Sequence, residues 1–433
     1  MAGISVASCS APEEHMSDAQ WRPLLTGELA DRARLVVDAV ARSLAAQAEP
    51  LDPPTRHEGW FGRALFFGVL ARAVPDATHA RWAASELERA VDHISAHPMR
   101  AALFGGFTGV AWVSEHLNPT VNDEDDCNRE VDELLHVYLG RSPWDRDYDL
   151  IRGLTGMGVY ALERVERPLG RACLARVIER LDETSMPRHD GLSWRTRPEW
   201  MGPPYGEKYP GGYFNLGVAH GVPAVLVVLA GAVAAGVEVA RARRLLDGAV
   251  RWMLSRRLDS PLSAFPSWES DGEAAAPART AWCYGDPGIA AALLAVADAV
   301  DEPAWRTLAI EVGRAAAARR PDEGGSFDAG ICHGSAGLAL LFHRLWHASE
   351  EPIFAEAAQR WYRHALDAFR ADAPTGYRSW GSTPLSGTAQ GAWIDDGSFL
   401  TGSSGIALVL LSGLGATPTW DRILAASVRG VTR

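Results

Sequence analysis

The stretch Gly334-Ser335-Ala336-Gly337 opens a run of mostly apolar residues, and this pairing of a Gly-x-x-Gly motif with an apolar run recurs along the chain. Seven copies begin at residues 59, 106, 153, 221, 285, 334 and 402, with alanine as the last residue of the copy at 221. The first two intervals are both 47 residues, and the others run from 49 to 68. One such motif is a weak signal, whereas seven spaced copies indicate a repeat architecture.

More highly charged segments with helical periodicity alternate with the apolar runs, as at 28–48, 81–94, 129–139, 172–181, 245–254, 305–318 and 353–369. An apolar helix must be buried on all sides, whereas an amphipathic helix keeps one solvated face. We therefore predict an all-α fold, an α/α toroid (barrel) of seven inner and seven outer helices. The glycines would allow close backbone approach where the inner helices begin. The N-termini of these helices would converge on one mouth, where their dipoles favour anions.

Two segments interrupt the alternation. Residues 185–214 are rich in Pro, Gly, Trp and Tyr, and 255–281 has little helical periodicity. We expect a loose N-terminal tail at 1–24 and a single toroid domain at 25–433, with 185–214 as a small, partly β excursion and 255–281 as a long loop. Both segments precede repeats that carry candidate site residues. They are therefore expected at the mouth of the site, unless they are surface loops without a role.

The composition excludes several classes of function. With 42 basic and 54 acidic residues the net charge is -12, which is the wrong sign for binding a phosphate backbone, so no nucleic acid partner is expected. The five cysteines are sparse and odd in number, which indicates a reducing cytosol rather than a disulfide framework.

The N-terminus does not resemble a signal peptide. The apolar run 213–237 is long enough to imitate a membrane span, but Pro223 and its repeat register predict a buried helix and no transmembrane segment.

Two short motifs carry the chemistry. Ala281-Trp-Cys-Tyr-Gly285 and Ile331-Cys-His-Gly334 together offer Cys283, Cys332 and His333. Two thiols and an imidazole are a three-ligand set for zinc with one position left open, as in catalytic sites. The alternative is that both cysteines are small buried hydrophobes. We favour the metal site because each cysteine is flanked by glycine and by a polar or aromatic residue.

The repeat register places further polar residues at the same mouth. His220 lies at the start of the fourth inner helix and Asp149 lies just before the third. An imidazole with an unperturbed pKa of about 6.5 is suited to proton transfer near neutral pH. A satisfied core histidine is the alternative for His220, and a helix N-cap is the alternative for Asp149.

Four motifs in this order resemble the signature of the lanthionine synthetase C-type cyclases: 149–156 (DLIRGLTG), 215–221 (NLGVAHG), 282–285 (WCYG) and 332–334 (CHG). The resemblance extends from about residue 25 to the end. It implies an α/α toroid with one zinc per chain, and the residues that match the zinc ligands of the family are Cys283, Cys332 and His333.

The resemblance also implies an activity, which is cyclisation of a dehydrated precursor peptide to form thioether rings. In that family the residues matching His220 and Asp149 are a proposed proton-handling pair. Those matching Arg279 and Tyr284 lie beside the metal. Arg279 would stabilise the enolate that forms when a cysteine thiolate adds to dehydroalanine or dehydrobutyrine.

The same resemblance implies partners and a location. The substrate would be a bacterial precursor peptide with a leader segment. Because no dehydratase or kinase domain fits before residue 25, we expect a separate dehydratase, and also an exporter. A cytoplasmic location is expected, with peripheral attachment to the membrane through a biosynthetic complex left open.

Two other function classes stay open at this point. One is zinc-dependent addition of glutathione or another small thiol to dehydroamino acids. The other is a metal-free α/α toroid, either a glycosidase-like enzyme or a scaffold. An inverting glycosidase needs two facing carboxylates; Asp286 offers one, and no second is evident.

Overall fold

The computed structural model describes residues 21–47, 59–97, 99–120, 122, 126–202, 204–325, 328–382 and 391–430. These ranges contain fifteen α-helices. They are α1 (Gly27–Ala45), α2 (Gly59–Ala73), α3 (Ala77–Ala96), α4 (Phe107–Leu117), α5 (Arg129–Leu139), α6 (Leu154–Glu163), α7 (Pro168–Thr184), α8 (Tyr205–Lys208), α9 (Val222–Ala234), α10 (Val239–Leu254), α11 (Asp286–Val300), α12 (Pro303–Ala317), α13 (Ser335–Ser349), α14 (Pro352–Asp367) and α15 (Ser403–Gly413).

Burial divides fourteen of these helices into two rings, and the short helix α8 belongs to neither. In α9 every residue from Val222 to Ala232 is buried, whereas α5 buries only the face that carries Asp132, Leu135 and Leu139. The inner ring consists of α2, α4, α6, α9, α11, α13 and α15, and the outer ring of α1, α3, α5, α7, α10, α12 and α14. Because α15 packs against α2, the inner ring closes. The predicted α/α toroid of seven inner and seven outer helices is confirmed.

The glycine motifs permit backbone contact where the inner helices begin. A Cβ on Gly288 would overlap the carbonyl oxygen of Trp282, and a Cβ on Gly337 would overlap that of Ile331. In five of the motifs the second glycine therefore lets the preceding turn fold back onto the first turn of its helix, whereas Gly62 makes room for Phe399 of another repeat. Ala224, the exception, is accommodated in a fully buried position.

Backbone hydrogen bonds join the turns before successive inner helices. The amide of Ala219 donates to the carbonyl of Cys283 (3.4 Å), that of Cys283 donates to Cys332 (3.1 Å), and that of Cys332 donates to Leu400 (2.8 Å). Each of these residues stands two positions before the first glycine of its motif. The same position in neighbouring repeats is thus held side by side around the mouth of the ring.

The two interrupting segments meet in one small sheet. The first contains β1 (Met186–Arg188), β2 (Gly191–Ser193), β3 (Arg195–Thr196) and β4 (Tyr213–Asn215), and the second contributes β5 (Trp268–Glu269). The strands β3, β4 and β5 pair antiparallel in that order. The partly β excursion is confirmed, and the segment expected as a long loop carries a strand that packs against it.

A further hairpin was not predicted. Its strands β6 (Arg378–Ser382) and β7 (Gly391–Asp395) pair antiparallel, with Trp380 opposite Trp393. The hairpin touches the mouth of the ring, because the backbone amide of Trp380 donates to the Asp328 carboxylate (3.2 Å).

The described chain begins with packed residues. The indole of Trp21 is buried and donates to the carbonyl of Ser412 (2.9 Å), and Leu24 is also buried. Residues 21–24 therefore belong to the packed toroid in place of the loose tail expected there, because a large aromatic ring gains more by burial than by exposure. The rest of that expected tail, residues 1–20, lies outside the described residues.

The apolar run at 213–237 is divided between two elements. Strand β4 takes its first residues, and α9 begins only after Gly221, with Pro223 in its first turn. No helix in the described ranges is long and apolar enough to cross a membrane.

The C-terminal segment packs against the inner ring. It contains a 3-10 helix, Thr419–Leu424. The Trp282 indole donates a hydrogen bond to the carbonyl of Leu424 at the end of this helix (2.9 Å). Arg422 donates to Glu163 on α6 (2.7 Å), and Asp421 pairs with Arg344 on α13. The segment thus joins the turn before α11 to the two helices α6 and α13.

Breaking the buried pair between Glu163 and Arg422 should destabilise the fold. Burial would raise the pKa of Glu163, but Arg422 and His116 outweigh it and lower that pKa to about 2. Glu163→Gln would leave the Arg422 guanidinium, only 16% exposed, without its carboxylate, at a cost of about 3–5 kcal/mol. Because the folded-state pKa is depressed, this stabilisation is present above about pH 4.5 and is lost as the pH falls toward 2.

Chemical unfolding at several pH values measures this effect. The difference in unfolding free energy between the wild type and Glu163→Gln should be full at pH 7 and should shrink below about pH 4.5. Glu166→Gln, at an exposed position three residues away, is the matched control and should be nearly silent. A difference that is small at pH 7 or independent of pH would contradict the account.

Candidate metal and catalytic site

Three side chains from two adjacent turns converge at the mouth of the ring. One ligand atom from each of Cys283, Cys332 and His333 lies within 4.8 Å of the others. Cys283 is buried, and Cys332 and His333 are partly exposed. Among the described residues this is the group of His, Cys, Asp and Glu whose geometry could hold a metal ion.

The electrostatics of this group favour a deprotonated thiol. Hydrogen bonding with the Cys332 thiol and then with His333 outweighs burial and lowers the pKa of Cys283 well below its usual range. Burial alone would lower the pKa of His333, but its hydrogen bonds with Asp328 and Cys283 raise it to about 9. The group therefore shares protons that a metal cation would displace on binding.

Asp328 supports the histidine from behind. Its Oδ2 lies 3.4 Å from Nε2 of His333, and its Oδ1 accepts the backbone amide of Gly330 (3.1 Å). A carboxylate in this place commonly fixes the tautomer and orientation of a metal-ligating histidine. Sequence reasoning did not single out Asp328.

The donor set fits a zinc ion. Thiolate sulfur and imidazole nitrogen are the ligands of tetrahedral zinc sites, and three protein ligands leave one position for a substrate. The three donor atoms are close enough to share one ion, and the pKa of the buried Cys283 thiol already lies well below its usual range. The same soft donors disfavour Mg²⁺ and Ca²⁺, which take oxygen ligands.

His220 and Asp149 form a second polar pair. Nδ1 of His220 lies 2.6 Å from Oδ2 of Asp149, which is only 1% exposed, whereas the His220 side chain is 34% exposed. The other carboxylate oxygen of Asp149 accepts the backbone amide of Arg152 (2.7 Å). Asp149 is not the N-cap of α6, which is Gly153. Its carboxylate holds both the turn before α6 and the imidazole.

The pair keeps the imidazole readily protonated. Burial lowers the pKa of His220, but the Asp149 hydrogen bond and the charges of Asp149 and Asp147 outweigh it, so the pKa is raised above the usual range. Burial and the neighbouring Asp149 raise the pKa of Asp147 to about 7. The Nδ1 atom faces Asp149, so Nε2 is the nitrogen left to exchange a proton with a substrate.

A cavity of about 400 Å³ opens beside this pair. His220, Asp149, Arg279 and Tyr284 all line it. The Tyr284 phenol accepts a hydrogen bond from the Asn215 amide (2.9 Å), and its ring centroid lies 6.2 Å from that of His220. Arg279 is exposed and acts electrostatically on Cys283, lowering its pKa. Asp149, His220, Arg279 and Tyr284 thus share one cavity, and Tyr284 directly follows Cys283 in the chain.

Aromatic residues from the two interrupting segments form much of the cavity wall. They are Trp200, Tyr205, Tyr213 and Trp268. The Tyr213 and Trp268 rings are stacked with centroids 5.4 Å apart, and Trp268 meets Tyr284 edge-on. The expectation that these segments border the site agrees with this placement.

Sequence and structure comparisons identify the relatives of this chain. The family described as lanthionine synthetase C-like protein matches residues 50–425. The chain belongs to this family. The resemblance inferred from the four motifs is confirmed.

This lanthionine synthetase C-like chain is similar in sequence to a known protein and in structure to a solved protein. It is 25% identical over 302 residues to the nisin biosynthesis protein NisC of Lactococcus lactis subsp. lactis, covering 64% of this chain and 71% of the relative. The solved structure of a nisin cyclase superposes with a TM-score of 0.68 at 20% identity, covering 92% of this chain and 96% of that chain. At that identity the structural likeness shows the fold.

A repeat signal in this lanthionine synthetase C-like chain could have revealed Asp328. In four of the repeats, an aspartate or asparagine stands six residues before the first glycine of the motif. These residues are Asp147, Asn215, Asp328 and Asp396. Each of these side chains accepts the backbone amide two residues on, at 2.8–3.3 Å. Asp and Asn favour this kind of turn, in which the side chain bonds to the backbone two residues on (an Asx-turn). Two of these side chains, those of Asn215 and Asp328, also reach site residues.

The carboxylate considered for a glycosidase is committed elsewhere. Asp286 is fully buried, pairs with Arg319, and accepts the backbone amide of Ala264 (2.8 Å). It anchors the second interrupting segment to the start of α11. A buried, fully bonded carboxylate cannot reach a sugar in the cavity.

Proposed function

We propose that this protein is a zinc-dependent lanthipeptide cyclase. It would add cysteine thiols of a dehydrated precursor peptide to dehydroalanine or dehydrobutyrine, forming lanthionine and methyllanthionine thioether rings. The observation that carries the proposal is the placement of the Cys283–Cys332–His333 group and the His220–Asp149 pair at one mouth of the ring. Membership of the family supports the same activity.

Zinc held by Cys283, Cys332 and His333 would supply a site at which a substrate thiol loses its proton at neutral pH. Two protein thiolates and a neutral imidazole make the loaded site electrically neutral, so little positive charge is left to reduce the nucleophilicity of the sulfur. His333 must then be the neutral ligand, with Asp328 fixing its orientation.

The remaining residues would act on the peptide. Addition forms a C–S bond at Cβ of the dehydro residue, breaks its C=C π bond and leaves an enolate that needs a proton at Cα. His220, whose pKa is raised by its bond to Asp149, would donate that proton from Nε2. Arg279, at the rim of the cavity, would stabilise the enolate oxygen. The thiol proton returns to the histidine through solvent, so no atom is lost overall.

Tyr284 would set the position of the substrate rather than transfer a proton. Burial raises the pKa of its phenol well above the usual range, and the phenol already accepts a hydrogen bond from Asn215. Its hydroxyl hydrogen remains available to a peptide carbonyl in the cavity.

The cellular setting follows from the chemistry. The substrate must already contain dehydroamino acids, so we infer a separate dehydratase that acts first on a precursor peptide with its leader, and an exporter that acts afterwards. Free thiolates require a reducing compartment, which supports the cytoplasm of a bacterium.

A competition between two thiols tests the proposal. The enzyme is given a precursor peptide with dehydroalanine or dehydrobutyrine and free cysteines, together with an equal concentration of glutathione. We expect the peptide cysteines to become resistant to alkylation without a change of peptide mass, at a rate well above the uncatalysed one and with one stereochemical outcome. If glutathione is added at a comparable rate while the cysteines stay alkylatable, small-thiol addition replaces the cyclase assignment.

A further inference from the structure

A second cavity adjoins the one beside His220. It has a volume of about 700 Å³ and lies between the turn before α4, the exposed face of α5 and the turn before α6. Asp147, Arg152 and Trp200 line both cavities, so the two meet along a common boundary. None of the proposed catalytic residues lines the second cavity, which leaves it without a role in the chemistry.

The lining of the second cavity combines apolar and charged groups. Phe107, Leu134 and Tyr138 provide apolar surface, and Leu134 is 56% exposed. Val137, one turn further along α5, is also exposed. Apolar surface of this kind gains free energy when a partner covers it.

The charged groups of this cavity have both signs. The bases are Arg100, Arg146 and Arg152, and the acids are Asp145, Asp147 and Glu199. A polyanion or a lipid headgroup would meet repulsion from the acids. A peptide segment suits this surface, because apolar side chains can cover the centre while backbone amides and carbonyls bond to the mixed rim.

The shape of the site requires space for a flanking segment. Ring closure brings two residues of one peptide into a cavity of about 400 Å³, so the remainder of the peptide must leave it. Towards the interior of the ring, the C-terminal segment is bonded to Trp282 and to Glu163. Thr196, Tyr213 and Trp268, from strands β3, β4 and β5, border another side. On the remaining side stand Arg152 and Trp200, which line both cavities and are joined by a hydrogen bond from the Arg152 guanidinium to the Trp200 carbonyl (3.4 Å).

We propose that the second cavity is a docking groove for the non-reacting flank of the peptide substrate. This inference rests on the proposed function and deepens it by assigning the surface that holds the peptide during ring closure. Leu134 and Phe107 contact apolar side chains of the flank, and Arg152 lies between the docked flank and the reacting residues.

Leu134→Asp tests the groove directly, because Leu134 is an exposed residue whose replacement does not disturb the core. Binding of the fluorescently labelled, dehydrated precursor is measured by anisotropy. We expect the dissociation constant to rise by about tenfold or more. Leu35→Asp, on α1 and 70% exposed, is the matched control and should leave binding unchanged. Metal content and the helical circular dichroism signal confirm that both variants are intact.

The outcomes separate the two levels of the argument. Equal binding by Leu134→Asp and Leu35→Asp overturns the docking groove, even if the wild type closes rings. A changed oligomeric state of Leu134→Asp with unchanged peptide affinity also overturns it, since the surface would then join copies of the chain. If the wild type binds the precursor through Leu134 but closes no ring, the docking groove stands and the cyclase assignment fails.

Discussion

Cys283→Ala should lose most of its zinc and nearly all ring-closing activity while the toroid stays folded. The sulfur of Cys283 is one of the three donors that the described residues bring together, and removing even an outer-shell partner typically weakens metal binding 10–100-fold. The inner ring is held by an extensive apolar core in which Cys283 is one small member among many larger side chains, so the far-UV helical signal should persist. Elemental analysis of purified protein and the alkylation assay measure the two losses.

A matched cysteine variant controls for this prediction. Cys127 is an exposed free thiol outside the group, so Cys127→Ala should retain both zinc and activity. Retention of a full complement of zinc by Cys283→Ala would contradict the assignment of the ligand set. Unfolding of the variant would instead mean that the metal site supports the fold, contrary to the account.

His220→Ala should slow ring closure by roughly 10² to 10⁴ without loss of zinc, which is the usual contribution of a general acid or base. The reason is the loss of the proton donor for Cα, since His220 lines the cavity and is bonded to Asp149. Single-turnover alkylation kinetics measure the effect. A variant that cyclises at the wild-type rate would remove His220 from the mechanism.

Asp149→Asn separates the two roles of that carboxylate. An asparagine oxygen can still accept the Arg152 amide, but its amide nitrogen would face Nδ1 of His220 as a donor. The negative charge that raises the pKa of His220 is then gone, so this pKa should fall. Because the protonated imidazole is the active form, the rate should decline at a lower pH than in the wild type.

The pH profile therefore decides between the alternatives for Asp149. A slow variant whose alkaline limb is shifted to lower pH supports a role in proton transfer. A variant with wild-type rate and profile would leave Asp149 as a residue of the turn before α6 only. Asp147 and Arg152 also act on His220 and remain in place in both cases.

Much of the site could be predicted because the repeat determines it. Cys283 and Cys332 stand at the same position of consecutive motifs, and the backbone bond between them (3.1 Å) joins these positions directly. His333 and His220 likewise share a position, one residue before the first glycine. Residues far apart in sequence meet because periodic helices bring equivalent turns to one rim.

Other features had no comparable signal. Strands β3 and β5 have only two residues each, too few for an alternating pattern, and their pairing depends on contacts between separate segments. The strands β6 and β7 contain glycine and stand before the last repeat, where the sequence reads as a connecting segment. Asp328 resembles any turn aspartate until the structure brings it to His333.

The packing of residues 21–24 against the toroid could not be predicted from the sequence pattern either. Trp21 precedes the first periodic helix, and its partners Ser412 and His343 belong to the last two inner helices. Such contacts close the ring between its two ends. A pattern read along one stretch of chain contains no information about them.

The central claim is that Cys283, Cys332 and His333 hold one catalytic zinc ion, and zinc-edge X-ray absorption of the purified protein, with elemental analysis of the same sample, tests it most directly. The account predicts close to one zinc per chain with two sulfur ligands and one imidazole nitrogen, and the loss of one sulfur in any zinc retained by Cys332→Ala. A protein without zinc, or one whose zinc is bound by nitrogen and oxygen alone, would contradict it.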